Sequence, residues 1–110
     1  MNLRYLFKSI NEALTKKMVF ISGPRQVGKT TLALACISPT ANEEHKAYLN
    51  WDFADHAKAI RSGNFLPKEP IIVLDEVHKY KFWRRIVKGI YDTRKSKQRI
   101  IVTGSARLDV

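Results

Sequence analysis

Eight residues constrain this chain more than any other feature: Gly23, Pro24, Arg25, Gln26, Val27, Gly28, Lys29 and Thr30, which read GPRQVGKT. The string satisfies G-x-x-x-x-G-K-[ST], and its flanks supply a structural context. Residues 18–22 (MVFIS) form a short apolar run, the pattern of a buried strand. Residues 31–37 (TLALACI) have the pattern of a helix. A strand, a glycine-rich loop and a helix in succession turn backbone N–H groups and the positive end of the helix dipole toward one point, where an anion is favoured. Gly23 and Gly28 supply backbone conformations that a Cβ disfavours. Lys29 would reach the β- and γ-phosphates of a nucleotide, and Thr30 would offer its hydroxyl to a magnesium ion. The loop through Thr31 would cradle the phosphates. The plain alternative is a glycine-rich turn that merely opens a helix.

A chain of 110 residues is long enough for one small domain with one core, and an apolar fraction of 45% is ordinary for such a domain. No apolar run approaches the ~20 residues of a membrane span. Residues 1–17 lack the uninterrupted apolar segment and small-residue cleavage site of a secretory signal. The one cysteine, Cys36, excludes an intramolecular disulfide and fits a reducing, cytoplasmic location; its place in residues 31–37 reads as core packing. The formal net charge of +10 favours polyanionic partners: nucleotides, nucleic acid or acidic lipid. A solvated basic surface would satisfy the same composition.

Strand and helix patterns alternate along the chain. Residues 3–17 read as an amphipathic helix, with Leu3, Leu6, Phe7, Ile10 and Leu14 in one stripe. Ser38, Pro39 and Thr40 stop the helix that follows the glycine loop. Residues 47–51 (AYLNW) read as a strand, and residues 52–61 as a helix with Asp52 as its N-cap and Phe53, Ala57 and Ile60 on its buried side. Residues 71–74 (IIVL) form a continuous apolar run, as in a central parallel strand buried on both faces. Residues 80–94 read as a helix with Phe82, Trp83, Ile86, Val87, Ile90 and Tyr91 on an apolar face. Lys81, Arg84, Arg85 and Lys88 lie opposite them. Residues 100–103 (IIVT) read as a last strand. This order predicts a parallel α/β sheet joined by right-handed crossovers.

Open α/β sheets bind ligands beyond the carboxyl ends of their strands. Those ends here carry the glycine loop, Asn50 to Asp52, Asp75–Glu76 and Thr103 to Ser105. Asp75, closing the apolar run, would hold magnesium directly or through water. Glu76 would orient or deprotonate an attacking water. Thr103 or Ser105 would bond the γ-phosphate or that water and report its presence. The alternatives are an acidic turn for the first pair and plain Gly-Ser turn chemistry for the second. His45, His56 and His78 match no metal-ligand spacing. Trp51 and Trp83 read as packing residues. The basic stripe, with Lys79, Arg94, Lys95, Lys97 and Arg99, makes the 79–99 region the candidate surface for a nucleic-acid backbone.

Four segments together, GPRQVGKTTL (23–32), YLNWD (48–52), IIVLDEVHKY (71–80) and IIVTGSARL (100–108), resemble the bacterial and archaeal ATPases of the AAA+ superfamily whose P-loop reads GPRQVGKTT. The resemblance spans nearly the whole chain. It implies a three-layer α/β/α P-loop fold with strand order 5-1-4-3-2, in which the strand ending at Thr103–Ser105 lies between the P-loop strand and the Walker B strand (71–76). It implies ATP and Mg2+ as ligands. Residues 1–110 would be a partial ATPase domain with four of the five core strands. The fifth strand, the helical lid, a sensor arginine and any arginine finger would lie beyond Val110, as would surfaces for oligomerisation. The function implied is magnesium-dependent ATP hydrolysis coupled to conformational change in a larger protein. Two other classes share these features: a P-loop kinase for a small acceptor, and a nucleic-acid-binding module ordered by nucleotide without turnover.

Overall fold

The computed structural model describes residues 3–14, 17–23, 28–62, 69–94 and 98–104. In chain order these form α1 (Leu3–Leu14), β1 (Val19–Ser22), α2 (Lys29–Ile37), β2 (Tyr48–Asn50), α3 (Ala54–Ser62), β3 (Ile71–Asp75), a 3₁₀ turn (Val77–Lys79), α4 (Trp83–Thr93) and β4 (Arg99–Gly104). The strands are parallel throughout and lie in the order β1-β4-β3-β2. The expected α/β architecture is therefore present, and the strand carrying Thr103 sits between the glycine-loop strand and the strand ending at Asp75.

The apolar runs become central strands because both faces are covered. Alternation along each strand divides the core in two. Ile72, Leu74, Ile100, Val102 and Leu49 face Ile60 of α3 and Trp83, Val87 and Ile90 of α4. Val73, Ile101 and Tyr48 face Ile10 and Leu14 of α1 and Ala33, Leu34 and Cys36 of α2. The same two-residue period carries Asp75, Thr103 and Asn50 onto the α2 side. Register completes the convergence: Asp75 lies opposite Thr103 on one flank and Asn50 on the other. Cys36 is buried, and burial pushes its thiol up to about 11, so it acts as a packing group rather than a nucleophile.

Among the described residues helix α1 covers Leu3–Leu14, and the Lys17 N–H donates to the Ala13 carbonyl at 3.0 Å. Two expected boundaries shift. Helix α2 starts at Lys29, two residues before the expected point. The expected helix over 80–94 is α4 preceded by the 3₁₀ turn.

Three side-chain expectations are overturned. Asp52 does not cap α3, because its carboxylate pairs with Lys79 at 2.9 Å, 27 residues away. Phe53 and Phe82 are 44% and 47% exposed instead of buried; each sits just before its helix begins, where helical periodicity no longer sets direction. Trp51 and Trp83 do pack, Trp51 stacked on Tyr80 with centroids 4.7 Å apart and Trp83 edge-on to Phe20 at 6.1 Å.

The 3₁₀ turn is anchored to β4 by close packing. A Cβ built on Gly104 would lie 2.5 Å from His78 Nδ1 and 3.0 Å from Cε1. Gly104→Ala must therefore displace the imidazole and its turn. The expected result is a loss of about 1–3 kcal/mol of unfolding free energy in urea denaturation, the usual cost of overpacking a filled site.

Candidate functional site

The site is built at the carboxyl edge of β1, β4 and β3, where α2 begins. Gly23 and Gly28 have φ of 145° and 71°, both in the region that favours glycine. At Gly28 an added Cβ would meet nothing within 4 Å, so glycine is required there for backbone conformation rather than space. Gly28 is also the N-cap residue of α2 and makes no side-chain cap, leaving the first N–H groups of the helix directed outward. Lys29 is the first residue of that helix and only 4% exposed. Among the described residues it forms no ion pair, so its side chain, largely buried as a whole, stands at a helix N-terminus without a carboxylate within 4.0 Å. Residues Pro24, Arg25, Gln26 and Val27 of the expected phosphate loop, and Ser105 of the expected sensor pair, lie outside the described residues. Thr31 is in α2 and exposed.

The Asp75 carboxylate, 4% exposed, is the centre of a hydroxyl cluster. Thr30 Oγ1 donates to Oδ2 at 3.1 Å, bringing together residues 45 positions apart. Thr103 Oγ1 donates to Oδ1 at 2.6 Å, and Thr103 is fully buried. Tyr48 Oη donates to Oδ2 at 2.5 Å and in turn accepts from Asn50 Nδ2 at 3.0 Å. Burial, followed by the hydrogen bond to Asp75 and its charge, raises the phenol far above its ordinary range, so Tyr48 keeps its proton. Tyr48 was not singled out in the sequence. Its signal was the strand alternation that places it on the same side as Asn50, but its meaning required the β2–β3 register.

Thr30 and Asp75 suit a hard divalent cation. Two ligand oxygens on neighbouring vertices of an octahedron with bonds of 2.0–2.1 Å are separated by about 2.9 Å, close to the observed 3.1 Å. No group of three His, Cys, Asp or Glu side chains able to hold a metal occurs among the described residues.

Glu76 is 7% exposed and adopts φ 61°, ψ 17°, a left-handed conformation that costs a non-glycine residue about 1–2 kcal/mol. Its backbone N–H extends the ladder to the Thr103 carbonyl at 2.9 Å. Its carboxylate lies 3.5 Å from Lys79 Nζ and 3.7 Å from His78 Nε2. The Asp52 hydrogen bond, the larger cause, and the negative charges of Asp52 and Glu76 raise the Lys79 pKa. Glu76 thus stands one residue beyond the hydroxyl cluster and is held from the side by the turn that follows it. His78 Nδ1 is buried and unpaired among the described residues.

The expected basic stripe is on the surface: Lys81, Arg84, Arg85 and Lys88 are all exposed. Lys88 is paired with Asp92 at 2.7 Å, and the Arg84 guanidinium lies over Trp83, 4.9 Å from the ring centroid. Among the described residues no helix is long and apolar enough to cross a membrane.

Comparison with known proteins agrees with this architecture. No curated protein and no solved structure matches the chain. The AAA domain family matches residues 15–110, a span that takes in the glycine loop, all four strands and the hydroxyl cluster. Such domains are nucleotide-binding domains of the ATPase type. With a parallel sheet in the order β1-β4-β3-β2 and a family match over nearly its whole length, the chain belongs to the AAA domain family.

Proposed function

We propose that the chain binds Mg·ATP at residues 23–31 and Asp75, hydrolyses it, and passes the change at the γ-phosphate to a partner or a further domain. The observation that carries this reading is the 3.1 Å contact between Thr30 and Asp75. It would unite the two halves of a metal–phosphate site that lie far apart in sequence. The largely buried Lys29 side chain supports the reading, because a cation held at a helix N-terminus is stabilised by an anion placed against it. Magnesium bound by Thr30 and Asp75 would neutralise charge on the β- and γ-phosphates. Lys29 would contact those phosphates directly, and the first amides of α2 would donate to them. Glu76 would accept a proton from the attacking water. Thr103 holds Asp75 in this structure, so its part would be to fix the metal carboxylate; Thr103 and Ser105 stay the two candidates for sensing the phosphate. The test is calorimetric titration with ATP, with and without magnesium, and phosphate release at saturating nucleotide. Magnesium-dependent binding with ADP formation supports the reading, and no binding in either condition overturns it.

A second reading has its own observation. Lys81, Arg84 and Arg85 are exposed beside Phe82, with Lys81 Nζ 5.5 Å from the Phe82 ring centroid. Cations interleaved with an exposed aromatic suit a nucleic-acid strand, whose phosphates and bases they can meet together. Salt-dependent binding of single-stranded DNA that persists without nucleotide would support this surface as a nucleic-acid contact.

A further inference from the structure

We infer that Tyr48 is a positioning residue for the metal site, holding the Asp75 carboxylate in the orientation that receives the cation. The inference rests on the proposed magnesium site and adds a residue to it. Asp75 accepts three hydroxyl protons: Thr103 on Oδ1, and Thr30 and Tyr48 on Oδ2. These donors differ in what a cation would do to them. Thr30 would turn an oxygen lone pair to the ion, and its proton would then point away from the metal and from the Asp75 bond seen here. Tyr48 and Thr103 would keep their bonds. One donor on each oxygen fixes rotation of the carboxylate about its Cβ–Cγ bond, and a single donor would not.

The phenol is suited to this role in two ways. It is 1% exposed, so water does not compete for its proton. Asn50 Nδ2 donates to the same oxygen at 3.0 Å, which sets the direction of the hydroxyl and leaves its hydrogen to Asp75. The Asn50 carbonyl oxygen is itself occupied by the Asp52 N–H at 2.8 Å, which fixes the amide. The chain from Asp52 through Asn50 and Tyr48 to Asp75 is thus satisfied at every step. Groups that hold a ligating carboxylate in this way contribute about 10–100-fold to metal affinity.

The experiment uses Tyr48→Phe in the full chain, with Ile60→Val as a control that loosens the core on the opposite face. Two readouts are required: binding of a fluorescent ATP analogue in EDTA, and Mn2+ affinity in the presence of ATP, from the free-Mn2+ signal in electron paramagnetic resonance. The expected result for Tyr48→Phe is analogue affinity in EDTA within about twofold of the parent and Mn2+ affinity weaker by about tenfold or more. Ile60→Val should leave both unchanged. Should Tyr48→Phe fail to fold, Asn50→Ala keeps the phenol but removes its steering donor, and a Mn2+ affinity lower by threefold or more is then expected. Mn2+ affinity within twofold of the parent in Tyr48→Phe, or in Asn50→Ala where that variant stands in, overturns the inference while leaving the nucleotide reading intact. A parent chain with no metal-dependent ATP binding overturns the nucleotide reading and this inference with it.

Discussion

Lys29→Met is expected to weaken ATP binding by about 100-fold or more while leaving the ligand-free protein as stable as the parent, or more so. The two halves of this result have one cause. Lys29 is 4% exposed at the first residue of α2, where the helix dipole already disfavours positive charge. A positive charge there is unfavourable in the absence of an anion, and methionine removes it while retaining most of the stem's apolar volume. With triphosphate bound the balance reverses. A unit charge pair at 4 Å and an effective dielectric constant of 20 interacts by about 4 kcal/mol, and a 100-fold loss of affinity corresponds to about 2.7 kcal/mol. Calorimetric titration with Mg·ATP and a thermal melt of the free protein check the two halves. Affinity within threefold of the parent would place the phosphates elsewhere. A fall of several degrees in the melting temperature would show that Lys29 is instead part of the ligand-free fold.

Much of this site was legible because local chemistry and long-range placement agree. The GPRQVGKT string needs a strand before it and a helix after it, and β1 and α2 are there. The run ending at Asp75 is apolar on both faces because β3 is an inner strand, and an inner strand of a parallel sheet presents its carboxyl end to the ligand edge. What failed was reasoning that stopped at neighbours in sequence. Asp52 precedes a helix and has the chemistry of a cap, but Lys79 offers it a charged partner across the sheet edge, and that interaction prevails. Phe82 fits the apolar period of α4 only if the helix extends back to it, and the helix begins at Trp83. Tyr48 read only as part of the 47–51 strand, and its bond to Asp75 depends on a register between strands that no local pattern contains. The left-handed turn at Glu76 was equally hidden, because glutamate carries no preference for that conformation.

That turn shapes the second large effect. Glu76→Gln is expected to retain ATP affinity within about threefold and to lower single-turnover hydrolysis by about 10²–10³-fold, the usual contribution of a positioned general base. Glutamine matches the shape of glutamate and can still accept a hydrogen bond from water, but it takes no proton at neutral pH. The substitution is conservative for the fold as well. Lys79 loses a carboxylate at 3.5 Å but keeps Asp52 at 2.9 Å, so the 3₁₀ turn has an anchor after the change. The proposed metal carboxylate is untouched, since Asp75 takes its hydrogen bonds from Thr30, Tyr48 and Thr103 rather than from Glu76. Magnesium dependence of binding should therefore match the parent, separating loss of a base from loss of a metal site. Equal hydrolysis rates in the two proteins would remove Glu76 from the chemistry and leave it a structural role beside Lys79 and His78. Loss of binding together with turnover would instead mean that the strained turn, and not the proton transfer, is what the carboxylate supports.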